Sequence, residues 1–105
     1  MTDKYILVGH DAVPERSLMK WAKWFERAER IVAKSNCGGV FVSTVFLGIN
    51  HQFGEGLPLL FETMVFGENM IERYSTWDEA VNGHERMCQK VRKQLVKSKT
   101  KTHRD

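Results

Sequence analysis

The feature that most constrains this chain is a pair of β-rich apolar runs separated by a short link. The first run spans residues 40–49 (VFVSTVFLGI) and the second spans residues 57–66 (LPLLFETMVF). The link, residues 51–56, carries Gly54 and Gly56. Two β-rich runs on either side of a glycine-bearing link predict a long β-hairpin over about residues 40–66.

Apolar residues occupy both faces of this predicted hairpin. One set consists of Val40, Val42, Phe46, Leu60, Met64 and Phe66, and the other of Phe41, Val45, Leu47, Ile49, Leu59 and Val65. A hairpin in a small domain normally keeps one face in water. Because two helices cover only one face of a small sheet, we expect a partner on the other, most simply a second copy in a homodimer.

Glu62 is an unusual residue for the middle of such a strand. Pairing Ile49 with Leu57 predicts a register that places Thr44 opposite Glu62 and Ser43 opposite Thr63. A glutamate among apolar strand residues can bind a donor on a ligand or receive an arginine. It can equally face solvent on an edge strand or pair with Arg73, and the sequence leaves these alternatives open.

Two helices are predicted on either side of the hairpin. Pro14 and Glu15 favour a helix start, and the glycines that follow Asn36 favour a stop, which predicts a helix from about residue 14 to about Lys34. The last helix begins after Ser75 or Thr76 in a capping box. His84 lies in the middle of its apolar stripe, and we expect it to be buried and structural.

The predicted fold is α+β, with element order β-α-β-β-α. A strand at residues 5–8 precedes the first helix, and residues 9–11 turn the chain. We expect a three-stranded antiparallel sheet with both helices packed on one face. Residues 1–96 form a single domain in this interpretation, and residues 97–105 form a basic flexible tail.

Composition argues against several classes of protein. The formal net charge of +3 is mild, and no apolar run is long enough to span a membrane. The N-terminal residues lack the apolar core of a signal peptide. Cys37 and Cys88 have no paired spacing, which favours reduced thiols and a cytoplasmic location. The spacing of histidines and cysteines indicates neither a metal site nor a cofactor.

Five cations recur at helical spacing along the predicted first helix. They are Lys20, Lys23, Arg27, Arg30 and Lys34, with Trp24 at their edge. Such a band can contact phosphates while the tryptophan stacks on a base. The alternative is an ordinary solvated helix face. The hairpin loop adds a second candidate contact surface, because His51 and Phe53 lie beside its two glycines.

Acid–base chemistry is the weakest of the candidate functions. His84 and Glu29 both lie on helix faces predicted to meet the sheet, and a Glu–His pair can transfer protons. Such a pair more often fixes helix packing through a buried hydrogen bond. No serine or cysteine stands at a recognisable nucleophile turn, so we expect no enzyme.

Several segments resemble a family of small proteins encoded widely in bacteriophages and prophages. The similar segments are residues 43–48 (STVFLG), His51, Phe53, residues 58–67 (PLLFETMVFG), residues 73–80 (RYSTWDEA) and residues 83–84. The resemblance covers roughly residues 18–91. It implies a phage protein and transfers no catalytic residue.

The resemblance implies a non-catalytic binding protein that inhibits bacterial antiviral defence. The partner would be a CRISPR effector, another host defence protein or an anionic defence nucleotide. The alternative is a small nucleic-acid-binding or regulatory protein of phage replication. Candidate partner-binding residues are the five cations, Trp24, His51, Phe53 and Glu62.

Overall fold

A computed structural model of the chain describes the backbone of residues 2–102 and the side chains of residues 2–97. The elements are β1 (Tyr5–Val8), β2 (Asp11–Pro14), α1 (Leu18–Arg27), β3 (Ile31–Cys37), β4 (Val40–Phe46), β5 (Phe61–Val65), β6 (Met70–Tyr74) and α2 (Trp77–Thr102). The fold is α+β, as predicted. Residues 103–105 of the predicted basic tail lie outside the described residues, and α2 continues as helix through residues 97–102.

A four-stranded antiparallel sheet in the order β3-β4-β5-β6 forms the centre of the molecule. Helix α2 packs across its inner face and contacts all four strands. The predicted capping box is present, since Thr76 Oγ1 accepts from the Glu79 backbone N–H and Glu79 Oε1 accepts from the Thr76 backbone N–H. Most of the predicted apolar stripe is buried: Ala80, His84, Met87, Cys88 and Val91.

The core between α2 and the sheet consists of two clusters. One cluster, near the β3–β4 turn, contains Cys37, Val42, Val65, Met87, Cys88 and Val91. The other, at the opposite end of the sheet, contains Phe46, Leu60, Phe61, Tyr74 and Ala80. Both clusters draw from the sheet and from α2, so burial of apolar surface fixes the helix across the strands.

The first helix is much shorter than predicted, because residues 31–37 form strand β3 instead of its second half. Ser17 Oγ caps α1 at its start, and Ala28 ends it in an extended conformation. Gly38 and Gly39 connect β3 to β4 with φ of 63° and 95°. Positive φ at both central residues is the geometry of a two-residue type I′ hairpin turn. The glycines therefore form a hairpin turn and do not terminate a helix.

The predicted three-stranded sheet and the order β-α-β-β-α are also incorrect in detail. β1 pairs with β2 in a separate two-stranded hairpin and is not a strand of the main sheet, although an isolated bridge pairs Lys4 with Ile49. Residues 67–73, predicted as a loop or a short irregular strand, contribute most of edge strand β6, which runs from residue 70 to residue 74. α1 packs against β1, where Trp21 Nε1 donates to the Tyr5 and Gly48 carbonyls.

The register of the central hairpin differs by one residue from the prediction. Thr44 pairs with Thr63, and Val45 pairs with Glu62. Because side chains alternate along a strand, a shift of one residue exchanges the faces of the second strand. Thr63 and Val65 therefore point into the core, while Glu62, Met64 and Phe66 lie on the outer face.

Candidate binding surfaces

The outer face of the four-stranded sheet carries exposed apolar side chains. Phe41 is 55% exposed, Phe66 is 54% exposed and Ile71 is 52% exposed. Met64 lies between Ser43 and Ile71 in the strand register, and with Val45 it lines a shallow groove of about 160 Å³. α2 covers the opposite face, so this apolar surface faces water in the single chain.

Glu62 lies on this outer face and forms an ion pair with Arg73. The Glu62 Oε2 to Arg73 Nε distance is 3.0 Å, and the two residues are directly opposed on β5 and β6. The sequence left pairing with Arg73 open as one alternative, and this is the arrangement found. A carboxylate that already has an arginine partner offers less to a cationic ligand.

Three of the five predicted cations share the exposed surface of α1. Lys20, Lys23 and Arg27 are exposed, and Trp24 between them is half-buried. Lys23, Trp24 and Arg27 line an open cavity together with Glu26. The Trp24 ring meets the buried Phe46 ring edge-on, with centroids 5.8 Å apart, so the indole is fixed by the core. We call Lys20, Lys23, Trp24 and Arg27 the α1 surface.

Arg30 and Lys34 do not belong to the α1 surface, because the helix ends at Arg27. The Arg30 guanidinium lies over the Phe25 ring, 4.0 Å from its centroid, and Nη1 donates to the Phe46 carbonyl. Lys34 lies on β3 opposite Ser43, on the outer face of the sheet. The predicted continuous band of five cations is therefore divided between three parts of the fold.

The β4–β5 loop carries one half-buried histidine and one exposed aromatic ring. His51 Nδ1 donates to the Ile49 carbonyl at 2.8 Å, which ties this imidazole to its own loop. Phe53 is 90% exposed. The structure keeps both residues on one loop but places neither beside the α1 surface cavity.

His84 is buried, as predicted, and joins a chain of polar side chains across the core. Its Nε2 lies 2.8 Å from Ser35 Oγ and its Nδ1 lies 2.8 Å from Thr44 Oγ1. Thr44 is hydrogen-bonded to Thr63, and the Tyr74 hydroxyl donates to Thr63 Oγ1. The chain takes one side chain from each of β3, β4, β5, β6 and α2. Sequence reasoning missed it, because the pairing depends on strand register.

Electrostatics agree with a structural role for this polar chain. Burial lowers the pKa of His84, which favours a neutral ring with one donor and one acceptor nitrogen. Burial also raises the pKa of the Tyr74 hydroxyl. Glu29 does not pair with His84. It is exposed, and its carboxylate accepts from the backbone N–H of Ile31.

The two cysteines are free and buried in the same core cluster. Burial and the neighbouring Cys88 thiol raise the pKa of Cys37, which favours the protonated thiol. Among the described side chains, residues 2–97, no group of three or more His, Cys, Asp or Glu is arranged to hold a metal ion. No helix among residues 2–102 has the length and apolar character needed to cross a membrane.

Comparisons of the chain with known protein families, with curated proteins and with solved structures gave no match.

Proposed function

We propose that this chain is a phage-encoded, non-catalytic binding protein that inhibits bacterial antiviral defence in the host cytoplasm. Its targets would be a CRISPR effector, another defence protein or an anionic defence nucleotide. The phage origin rests on the resemblance of residues 43–48, 58–67 and 73–80 to phage and prophage proteins. The binding role rests on the surfaces of the fold.

The observation that carries this proposal is the α1 surface. Lys23 and Arg27 line one open cavity with Trp24 and Glu26, exposed Lys20 lies one turn earlier on α1, and the Trp24 ring is fixed against the buried Phe46. Cations beside a rigid aromatic ring suit an anionic partner with planar groups, such as a nucleotide or a nucleic-acid-bound effector. Arg30 is excluded from this role, because its guanidinium already contacts Phe25 and Phe46.

We also propose that two copies associate through the outer face of the sheet. Phe41, Phe66 and Ile71 are about half exposed there, and an isologous contact would remove them from water. The α1 surface would then remain free on both copies. In this arrangement self-association and target binding use different parts of the molecule.

The proposal can be tested by affinity purification of the chain from cells that express defence systems. Bound proteins and small molecules are identified by mass spectrometry. We expect a defence protein or an unchanged defence nucleotide with the wild-type chain, and its loss with Lys23→Glu plus Arg27→Glu. A matched charge reversal on α2, Lys90→Glu plus Lys93→Glu, should retain it, because both lysines are exposed and distant in sequence from α1.

The same experiment separates the proposal from its competitors. Recovery of a chemically altered nucleotide would indicate an enzyme. Equal recovery of partners with both double variants would exclude the α1 surface as the partner-binding surface.

A small nucleic-acid-binding or regulatory phage protein is the second candidate, and it is favoured by the same cations. Binding to phosphates releases counterions, so affinity would fall steeply with salt. The slope of that fall should decrease when Lys23 and Arg27 are reversed. Binding of DNA or RNA that does not depend on salt would argue against this alternative.

A further inference from the structure

An open cleft outside the α1 surface and the sheet's outer face is a candidate small-molecule site. It lies between the β1–β2 turn, the start of α2 and the segment that precedes β5, and its volume is about 450 Å³. Small-molecule sites typically measure about 300–1,000 Å³ and combine apolar walls with a few polar groups. Pro58 and Leu60 supply apolar wall here, and Asp11 and Ser75 supply polar groups.

Trp77 forms a fixed aromatic surface in this cleft. Its ring meets the Phe61 ring edge-on, with centroids 6.2 Å apart and planes at 90°. Phe61 is fully buried, so the core fixes the orientation of the indole. A preorganised ring of this kind binds a planar ligand without a large ordering cost.

The molecule already places a heterocyclic ring on this surface. The His10 imidazole stacks on Trp77 with centroids 3.8 Å apart and planes 5° from parallel. His10 is exposed and follows Gly9 in the turn between two strands of four residues each. The exposed histidine, carried on a short turn, therefore occupies the position that a stacked ligand ring would take.

Asp11 is the acidic residue among the described residues that line the cleft. Asp11 is exposed and directly follows His10, and an ionised carboxylate only accepts hydrogen bonds. Guanine presents two adjacent N–H donors on one edge, which match the two carboxylate oxygens. Adenine presents an acceptor nitrogen on the corresponding edge. Neither Lys nor Arg is among the described residues that line the cleft, so its chemistry favours a base over a phosphate.

We propose that Trp77 and Asp11 form a guanine-binding site. The base displaces the His10 ring, stacks on the indole and donates its two N–H groups to the Asp11 carboxylate. This inference does not depend on the proposed counter-defence function, because it rests on a different part of the fold.

The test is a titration of the full chain with guanosine and with adenosine, followed by NMR of the three tryptophan indole N–H signals. Trp77→Phe identifies the Trp77 signal. We expect guanosine at up to about 1 mM to shift the Trp77 signal and to leave those of Trp21 and Trp24 in place. Adenosine should bind roughly tenfold more weakly, because it lacks the paired donors. An unmoved Trp77 signal, or equal binding of the two nucleosides, would overturn the assignment.

Two variants test the roles of the polar residues without disturbing the core. Asp11→Asn should weaken guanosine binding roughly tenfold, since a carboxylate acceptor is lost. His10→Ala should strengthen it roughly threefold or more, because the competing stack is removed and more of the protein is ready to bind. Unchanged affinity in Asp11→Asn, or weaker binding in His10→Ala, would contradict the proposed geometry.

Discussion

The single residue on which the stability of the core depends most clearly is His84. Its ring bridges Ser35 and Thr44, and Thr44 leads through Thr63 to Tyr74. We expect His84→Ala to destabilise the protein by about 1–3 kcal/mol, because it leaves a cavity and orphaned hydroxyl groups. Chemical denaturation measures this difference. A wild-type unfolding midpoint for His84→Ala would show that these hydrogen-bonded side chains do not stabilise the core.

The lowered pKa of His84 predicts that the stability of the protein depends on pH. Burial lowers the pKa of folded His84 below its ordinary value of 6.5, so the unfolded chain binds the proton more readily. Stability should therefore be complete above pH 6.5 and should fall as the pH drops from 6.5 towards the lowered pKa. Thermal melts between about pH 5 and pH 8 measure this. His84→Gln is the control, and a pH profile that keeps the same slope in this variant would contradict the explanation.

The sequence predicted the burial of His84 but not its partners. A polar residue in the centre of an apolar helix stripe is recognisable from helical spacing alone. Ser35 was expected near the end of a helix, and Thr44 was paired with Glu62 by a register one residue away from the actual one. Hydrogen bonds between distant strands depend on register, which a single sequence specifies weakly.

At the scale of elements, the last helix was predicted well and the first was not. Two sequence signals identified α2: a capping box at its start and an apolar stripe at helical spacing. Lys34 fits the helical spacing of the cations that precede it, but Ala33, Ser35 and Cys37 alternate towards α2 as a strand. The Gly38–Gly39 pair forms a tight hairpin turn, although two glycines after a helical pattern also predict a helix end.

The β3–β4 turn gives a prediction at this scale. Gly39 has φ of 95°, and a Cβ built there meets no atom within 4 Å. Gly39→Ala should therefore destabilise the protein by about 1–2 kcal/mol through backbone conformation alone. Asn69→Ala, in the exposed β5–β6 turn, should change stability by less than about 0.5 kcal/mol. Denaturant titrations compare the two variants, and equal stability would argue against the type I′ turn.

At the scale of the whole molecule, the one-sided arrangement of helices leaves an apolar sheet face without a cover from α2. The sequence predicted that two helices would cover only one face, although it assigned some residues of the second strand to the wrong face. It could not locate the cleft that His10 and Trp77 line, because that cleft joins segments far apart in the chain. Cavities of this kind arise from tertiary packing.

The proposed homodimer can be tested through Ile71, which is half exposed on edge strand β6. We expect the wild-type chain to be a dimer at micromolar concentration by light scattering, and Ile71→Lys to shift it to monomer by placing a charge in the interface. Phe53→Ser removes a more exposed apolar side chain from the β4–β5 loop and should leave the dimer intact. A monomeric wild-type protein would contradict self-association through the sheet.

The most direct test of the central claim is counter-defence activity in living cells. A phage that is restricted by a defence system is plated on hosts that express the wild-type chain or one of the two double charge reversals, across a panel of CRISPR and nucleotide-signalling systems. We predict that the wild-type chain and Lys90→Glu plus Lys93→Glu restore plaques against at least one system, while Lys23→Glu plus Arg27→Glu, folded to the same extent, does not. The account would be contradicted if the wild-type chain restored plaques against none of the systems. Full activity of the Lys23→Glu plus Arg27→Glu variant would also contradict it.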